Sequence, residues 1–288
     1  MPKVSQVTSK SKSLITYQMV LEKKMAKVIK RYAKAKEDIS SKNLHDLRVA
    51  IRRLLTLLKI IKIFEKADVK KFIKLLKNIM DPLGDYRDSL LHLTFLENSE
   101  IKTEPALEEY HQQLLKKINK QEKIVRRVLK DFDIASFQNK LYSQIPSKLS
   151  RKTLKNSARW DKYIRKIIQK ILESKEKVFQ KMDLDEFHKT RIRFKKIRYL
   201  LEICTDWSFE IPKENLEIIS RIQTTMGDIH DIDLLAEDML KFNQSLYPQK
   251  EGLSIIPNFV EGLQEKRWIL FESFRKEFEK FENQFAVV

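Results

Sequence analysis

The chain has 288 residues, 42% of them hydrophobic, enough to bury a core in one large or two ordinary domains and too apolar for an unfolded polyelectrolyte. Four glycines and seven prolines are too few for a many-turned β fold, and the abundance of Lys, Glu, Leu and Ile points to long helices and an all-α protein. The formal charge of +18 favours an anionic partner, whether nucleic acid, an anionic membrane or another polyanion, and does not choose among them.

Residues 1–13 read as a flexible basic leader without the apolar stretch of a signal peptide. From Leu14 the apolar residues Leu21, Met25, Val28 and Ile29 recur at helical spacing. Turn-forming or charged residues then predict breaks at 40–43, 65–68, Asp81-Pro82, 98–105, 131–135 and 143–150. About four long helices therefore fill residues 14–143. Residues 144–155 read as a connector, and residues 156–288 repeat the scheme with breaks near 182–186, 205–212, Thr224-Thr225 and 243–258. Ile164, Ile168, Ile171 and Leu172 give the second unit its first helix, and a last helix runs from about Phe259 to Phe285. No 18-residue apolar run occurs, and Cys204 is the only cysteine. The expectation is a soluble, cytoplasmic protein without disulfides or membrane association. Composition is silent on oligomeric state.

The two units are copies. His45 opens HDLRVAIRRLLTLL and His188 opens HKTRIRFKKIRYLLE, 188 − 45 = 143 residues apart. The same interval carries Gly84 to Gly227, Asp85 to Asp228 and Asp88 to Asp231, as an internal duplication requires. The glycines are expected to serve turns, with the four aspartates in the first turn of the following helix. His92 and His111 have no counterparts at this interval and read as surface or interface residues.

At 100° per residue, Arg48, Arg52 and Arg53 lie at about −60°, −20° and +80° from His45, while Leu47, Leu54, Leu58 and Ile61 gather on the opposite side. His188, Arg191, Lys195 and Arg198 form the matching arc, with Lys196 beside it and Ile197, Leu201 and Cys204 facing away. Like charges at i,i+4, as in Arg48/Arg52 and Arg191/Lys195, destabilise a free helix modestly, so an anion is expected to compensate. Lys23, Lys27 and Lys34 add a basic row to the first helix, and Lys166, Lys170 and Lys177 repeat it. Four rows about a pseudo-twofold would line one groove. That length suits a linear polyanion better than a single phosphate, with Arg offering planar forks and His a titratable donor.

Other chemistries find less support. His230, Asp231, His188, Asp228 and Asp233 invite comparison with a metal-dependent phosphohydrolase, yet Arg87 stands at the position equivalent to His230 and cannot ligate a metal. No Gly-rich phosphate loop is present, and Cys204 sits on an apolar arc. Nucleic acid is the alternative polyanion, although Tyr199 is the only aromatic residue on either basic face, which leaves little for base stacking.

Each His-x-x-Arg helix is followed 38 residues later (83 − 45 and 226 − 188) by LGDYRDSLL or MGDIHDIDLL. Together these segments resemble the two halves of a CHAD (conserved histidine α-helical) domain, over roughly residues 14–285. The resemblance implies one compact bundle of two pseudo-twofold-related four-helix repeats whose basic centre binds inorganic polyphosphate, without catalysis, metal or cofactor. Carried over by position, the contacts fall on His45, Arg48, Arg52, Arg53, His188, Arg191, Lys195, Lys196 and Arg198. Arg87 and His230 join the lysine rows as secondary contacts. The copies differ where Leu55 stands opposite Arg198 and Arg87 opposite His230. Without a Glu-x-Glu-x-Lys motif, the expected form is a stand-alone CHAD unit.

Overall fold

A computed structural model describes residues 16–98, 105–145, 157–207, 210–246 and 256–285, and every regular element among them is helical. The expected leader and nearly all of the expected connector lie outside the described residues. In chain order the helices are α1 Tyr17–Glu37, α2 Ser41–Glu65, α3 Lys70–Glu97, α4 Pro105–Asp131, α5 Ile134–Gln144, α6 Ser157–Leu172, α7 Lys175–Phe179, α8 Leu184–Asp206, α9 Lys213–Leu246 and α10 Ile256–Phe285. The starts of α2 and α8, and of α3 and α9, are each 143 residues apart (184 − 41 and 213 − 70).

Local chemistry sets several of these boundaries. The Asp183 carboxylate accepts the Glu186 N–H at 2.9 Å and caps α8, and Asp133 does the same for α5 through Ser136 N–H, also at 2.9 Å. Lys66, with φ 54°, ends α2 in the left-handed conformation.

The expected breaks at Asp81-Pro82 and Thr224-Thr225 do not occur, and α3 and α9 run through them. Pro82 removes one backbone donor from α3, but Ile79 and Leu83 are buried on either side, and their packing outweighs the local penalty. In α9 the Thr224 and Thr225 hydroxyls donate to the Ser220 and Arg221 carbonyls, each at 3.1 Å, and so stay inside the helix. Gly84 and Gly227 accordingly lie within helices rather than at turns. Conversely, the helix equivalent to α1 divides into α6 and α7, where Ser174 turns both its N–H and its hydroxyl onto the Ile171 carbonyl at 3.1 and 2.6 Å. A fifth helix, α5, completes the first half, with Phe137 and Leu141 buried.

Contacts between the halves run mainly through α2 against α8, with α3 against α9 beside them. Leu44, Leu47, Leu54, Leu58 and Ile61 of α2 and Phe194, Ile197, Leu201, Ile203 and Cys204 of α8 are all buried, so the apolar side of each central helix is committed to the core. In the second half α10 contributes Phe274, Phe278 and Phe281; Phe274 meets Phe278 and Phe187 edge to face, Phe194 meets Phe278 and Phe281 in the same way, and the Phe278 and Phe281 rings are tilted at 52°. Burying such rings removes about 2 kcal/mol each of unfavourable apolar hydration. His92 is buried on α3 rather than at the surface, 3.7 Å from Asp238 of α9. No helix among the described residues is long and apolar enough to cross a membrane.

Candidate functional site

With their apolar sides packed inward, α2 and α8 turn their basic sides towards α3 and α9, and the four helices border a half-open cavity of about 570 Å3. His45, Arg48 and Arg52 of α2 line it together with Arg191, Lys195 and Arg198 of α8. Arg87 and Asp88 come from α3, and Gly227, Asp228, His230 and Asp231 from α9. Six of the nine contacts expected from the sequence therefore share one space. Arg53, Lys196 and His188 do not line it: Arg53 is held by Glu202, Lys196 lies 4.8 Å from the centre of the Tyr163 ring, and the His188 ring sits 5.8 Å from that of His230.

The lysine rows also stay outside this space. Lys23 pairs with Asp206 at 2.6 Å, Lys34, Lys166, Lys170 and Lys177 are exposed, and Lys27 borders a smaller cavity between α1 and α2. Lys177 stands on α7, beyond the break, and so leaves the helical row of Lys166 and Lys170.

The lining cations fall into two groups. In the first, Arg48 donates from Nη1 to the Met80 carbonyl at 2.9 Å, lying across α3 at Gly84, where a Cβ would meet that nitrogen at 2.3 Å. Close approach, not a turn, is what requires glycine there. Arg87 pairs with Asp88 at 3.1 Å and reaches Asp231 at 3.5 Å, joining α3 to α9. Arg198 donates to Gln223 at 2.7 Å and to Glu202 at 3.2 Å, and Glu202 also accepts two bonds from Arg53 at 2.6 and 3.1 Å. The second group is Arg52, Arg191 and Lys195, whose side chains make no hydrogen bond or ion pair with any described residue. Arg191 Nε is buried without an acceptor, an arrangement that calls for a ligand or water.

This crowding shifts proton equilibria. Burial, reinforced by Arg191 and Arg52, pulls the Lys195 ammonium down to about 7, and burial with Arg52 beside it pulls Arg48 down to about 10. His45 and His188 are depressed by burial and then by Arg87 and Arg191 respectively, while His230 falls to about 3 through burial, Arg191 and Lys195. Burial raises Asp228 and Asp231, with the neighbouring carboxylates adding to the effect. A buried anion would reverse the depression of the bases.

Sequence reasoning missed the polar wall supplied by Ser220, Gln223 and Thr224. Ser220, Thr224, Gly227 and Asp231 follow one face of α9 at intervals of four, three and four. That signal was hidden by the break expected at Thr224-Thr225. Among the described residues, no three His, Cys, Asp or Glu side chains cluster with the geometry to hold a metal, and Asp233 is held by Arg267 at 2.5 Å.

An all-helical fold with a cation-lined centre, built on paired His-x-x-Arg helices, defines a class. The profile of the CHAD domain matches residues 19–239, and the chain belongs to that family. Its fold is similar to the crystal structure of the CHAD domain from the plant Ricinus communis, with a TM-score of 0.66 and 17% identity, covering 94% of this chain and 91% of that one. It is also similar to PptA from Streptomyces chartreusis, with a TM-score of 0.60 and 10% identity over 91% of this chain and 96% of the other. No curated protein sequence matches the chain significantly.

Proposed function

We propose that this chain is a polyphosphate-binding module that holds inorganic polyphosphate in the cavity between α2 and α8 without turning it over. The observation that carries the reading is the presence of three cationic side chains without partners, Arg52, Arg191 and Lys195, in one half-open cavity, one of them with a buried N–H that has no acceptor. Phosphate oxygens satisfy such donors bidentately, and a chain of them can engage both helices at once. Polyphosphate binding is a property of the CHAD family, which supports the same ligand class. Turnover is disfavoured because two carboxylates of the candidate metal set are already paired, Asp231 with Arg87 and Asp233 with Arg267. Nucleic acid is disfavoured because Tyr199, the aromatic residue at the cavity, is 7% exposed and offers no platform for a base.

On this reading residues 14–143 and 156–288 act as two repeats of one domain, and the protein works in the cytoplasm. The test is a competition titration of polyphosphate against single-stranded and duplex nucleic acid at matched phosphate concentration and salt. The expected result is preferential retention of polyphosphate, with intact chain length after incubation with divalent metal. Tighter binding of nucleic acid, or shortening of the polymer, would overturn the proposal.

A further inference from the structure

The smaller cavity between α1 and α2, of about 270 Å3, is lined by Lys24, Lys27, Lys30 and Arg31 from α1 and by Asp46 and Arg53 from α2. Asp46, with Val49, also lines the central cavity, so the two spaces share a wall. Three of the five cations are already engaged: Lys24 by Asp206, Arg31 by Asp46 at 2.8 Å, and Arg53 by Glu202. Lys27 and Lys30 make no hydrogen bond or ion pair with any described residue, and both are exposed.

The second half repeats this set only in part. At the +143 positions Lys24 becomes Ile167, Lys30 becomes Glu173, Arg31 becomes Ser174, and Asp46 becomes Lys189. α6 moreover ends at Leu172, before two of these positions are reached. Where Val49 forms part of the shared wall, the second half presents Ile192, an exposed apolar side chain. Lys27 and Arg53 keep basic counterparts in Lys170 and Lys196, whereas Lys30 and Arg31 have none in the second half.

We infer that the α1–α2 cavity is an extension subsite for polyphosphate. A long chain seated in the central cavity passes over Asp46 and Val49 and lays its next phosphates on Lys27, Lys30 and Arg31. The inference rests on the proposed central site and adds a direction of exit to it. The Arg31–Asp46 pair is partly solvated, at 41% and 29% side-chain exposure, and such pairs contribute little. A phosphate can therefore replace the Asp46 carboxylate as the partner of Arg31 at small cost. Lys27 to Arg31 spans about 6 Å of helix axis, which a ligand confined to the central cavity does not reach.

Calorimetric titration of triphosphate and of long-chain polyphosphate separates the two sites. Charge reversal in the double variant Lys27→Glu/Lys30→Glu is expected to weaken long-chain binding about tenfold, to lower its salt slope by about 2, and to leave triphosphate within about twofold. The double variant Lys70→Glu/Lys74→Glu, two exposed changes on α3 bordering neither cavity, controls for net charge. Equal losses for both ligands, a long-chain loss no larger than that of Lys70→Glu/Lys74→Glu, or an equal loss from Lys170→Glu would overturn the subsite. If wild-type protein binds neither ligand, the central reading falls and the subsite with it. If both bind and the double variant leaves the long chain unaffected, the subsite alone falls.

Discussion

Arg48 of α2 donates to the Met80 carbonyl through the gap left by Gly84, whereas Arg191, 143 residues later on α8, has no acceptor and Gly227 has nothing within 4 Å of its missing Cβ. The same helical position thus carries a guanidinium that fastens two helices in one half and an unsatisfied one in the other. The neighbours decide the difference. On α3 the Arg48 guanidinium lies across Gly84, and the Met80 carbonyl accepts from it with its second lone pair. On α9 the surface at Gly227 is open, and Gln223, at the position matching Met80, accepts through its side chain from Arg198 instead. Equivalent positions in the two halves therefore need not act alike: here one guanidinium ties α2 to α3 and the other keeps a buried donor without an acceptor.

The largest expected effect tests that division directly. Removing Arg191 and Lys195 together by alanine substitution should weaken polyphosphate about a hundredfold or more by calorimetry, since each charge-assisted contact contributes about 1.5–3 kcal/mol and 1.4 kcal/mol is tenfold. Arg48→Ala should cost less than about tenfold in affinity and instead lower the thermal midpoint. Equal affinity losses from the two substitutions would break the comparison.

A smaller effect should appear with pH. Lys195 has a pKa of about 7 in the empty cavity, and a bound anion raises it, so the complex takes up a proton and affinity falls as pH rises from about 7 to 9. The loss cannot exceed about tenfold per pH unit for one group, and Lys195→Arg should flatten it. His45 and His188, depressed in the empty protein, add a further gain as pH falls towards 6. The double replacement by Gln should remove that gain while leaving the Lys195 response. A profile flat over the whole range would contradict both attributions.

The smallest effect sharpens the contrast between the glycines. Gly227→Ala should raise stability by about 0.5–1 kcal/mol, because a helix-interior glycine is replaced where space is open. Gly84→Ala should show no net gain, since displacing Arg48 from Met80 forfeits a hydrogen bond of similar size. Parallel thermal unfolding curves check this, and an equal rise in both variants would show that Arg48 is not held at Gly84.

Much of the architecture was legible because it depends on period and composition. The α2 and α8 patterns place Leu47, Leu54, Ile197 and Leu201 opposite the basic residues, and once those are buried Arg52, Arg191 and Lys195 have to share the remaining side. What the sequence hid depends on contacts distant along the chain. The capture of Arg53 by Glu202 spans 149 residues, and the bond from Arg48 to Met80 spans 32. Neither follows from a helical wheel. The persistence of α3 through Pro82 was hidden for a related reason: local penalties are written in the sequence, whereas the packing of Ile79 and Leu83 that overrides them is tertiary. The break expected at Thr224-Thr225 of α9 likewise concealed that Ser220, Thr224 and Gly227 share a face.

Cys204, buried to 0% exposure on the core side of α8 with its thiol pushed up to about 12, makes the protein its own opening sensor. A thiol so protonated and enclosed does not react with an alkylating reagent until α8 leaves its packing. The labelling rate therefore measures how often α8 comes away from the core. A ligand that binds only the closed form slows that rate in proportion to 1 + [L]/Kd, so this single sulfur converts occupancy of the cavity into a chemical clock.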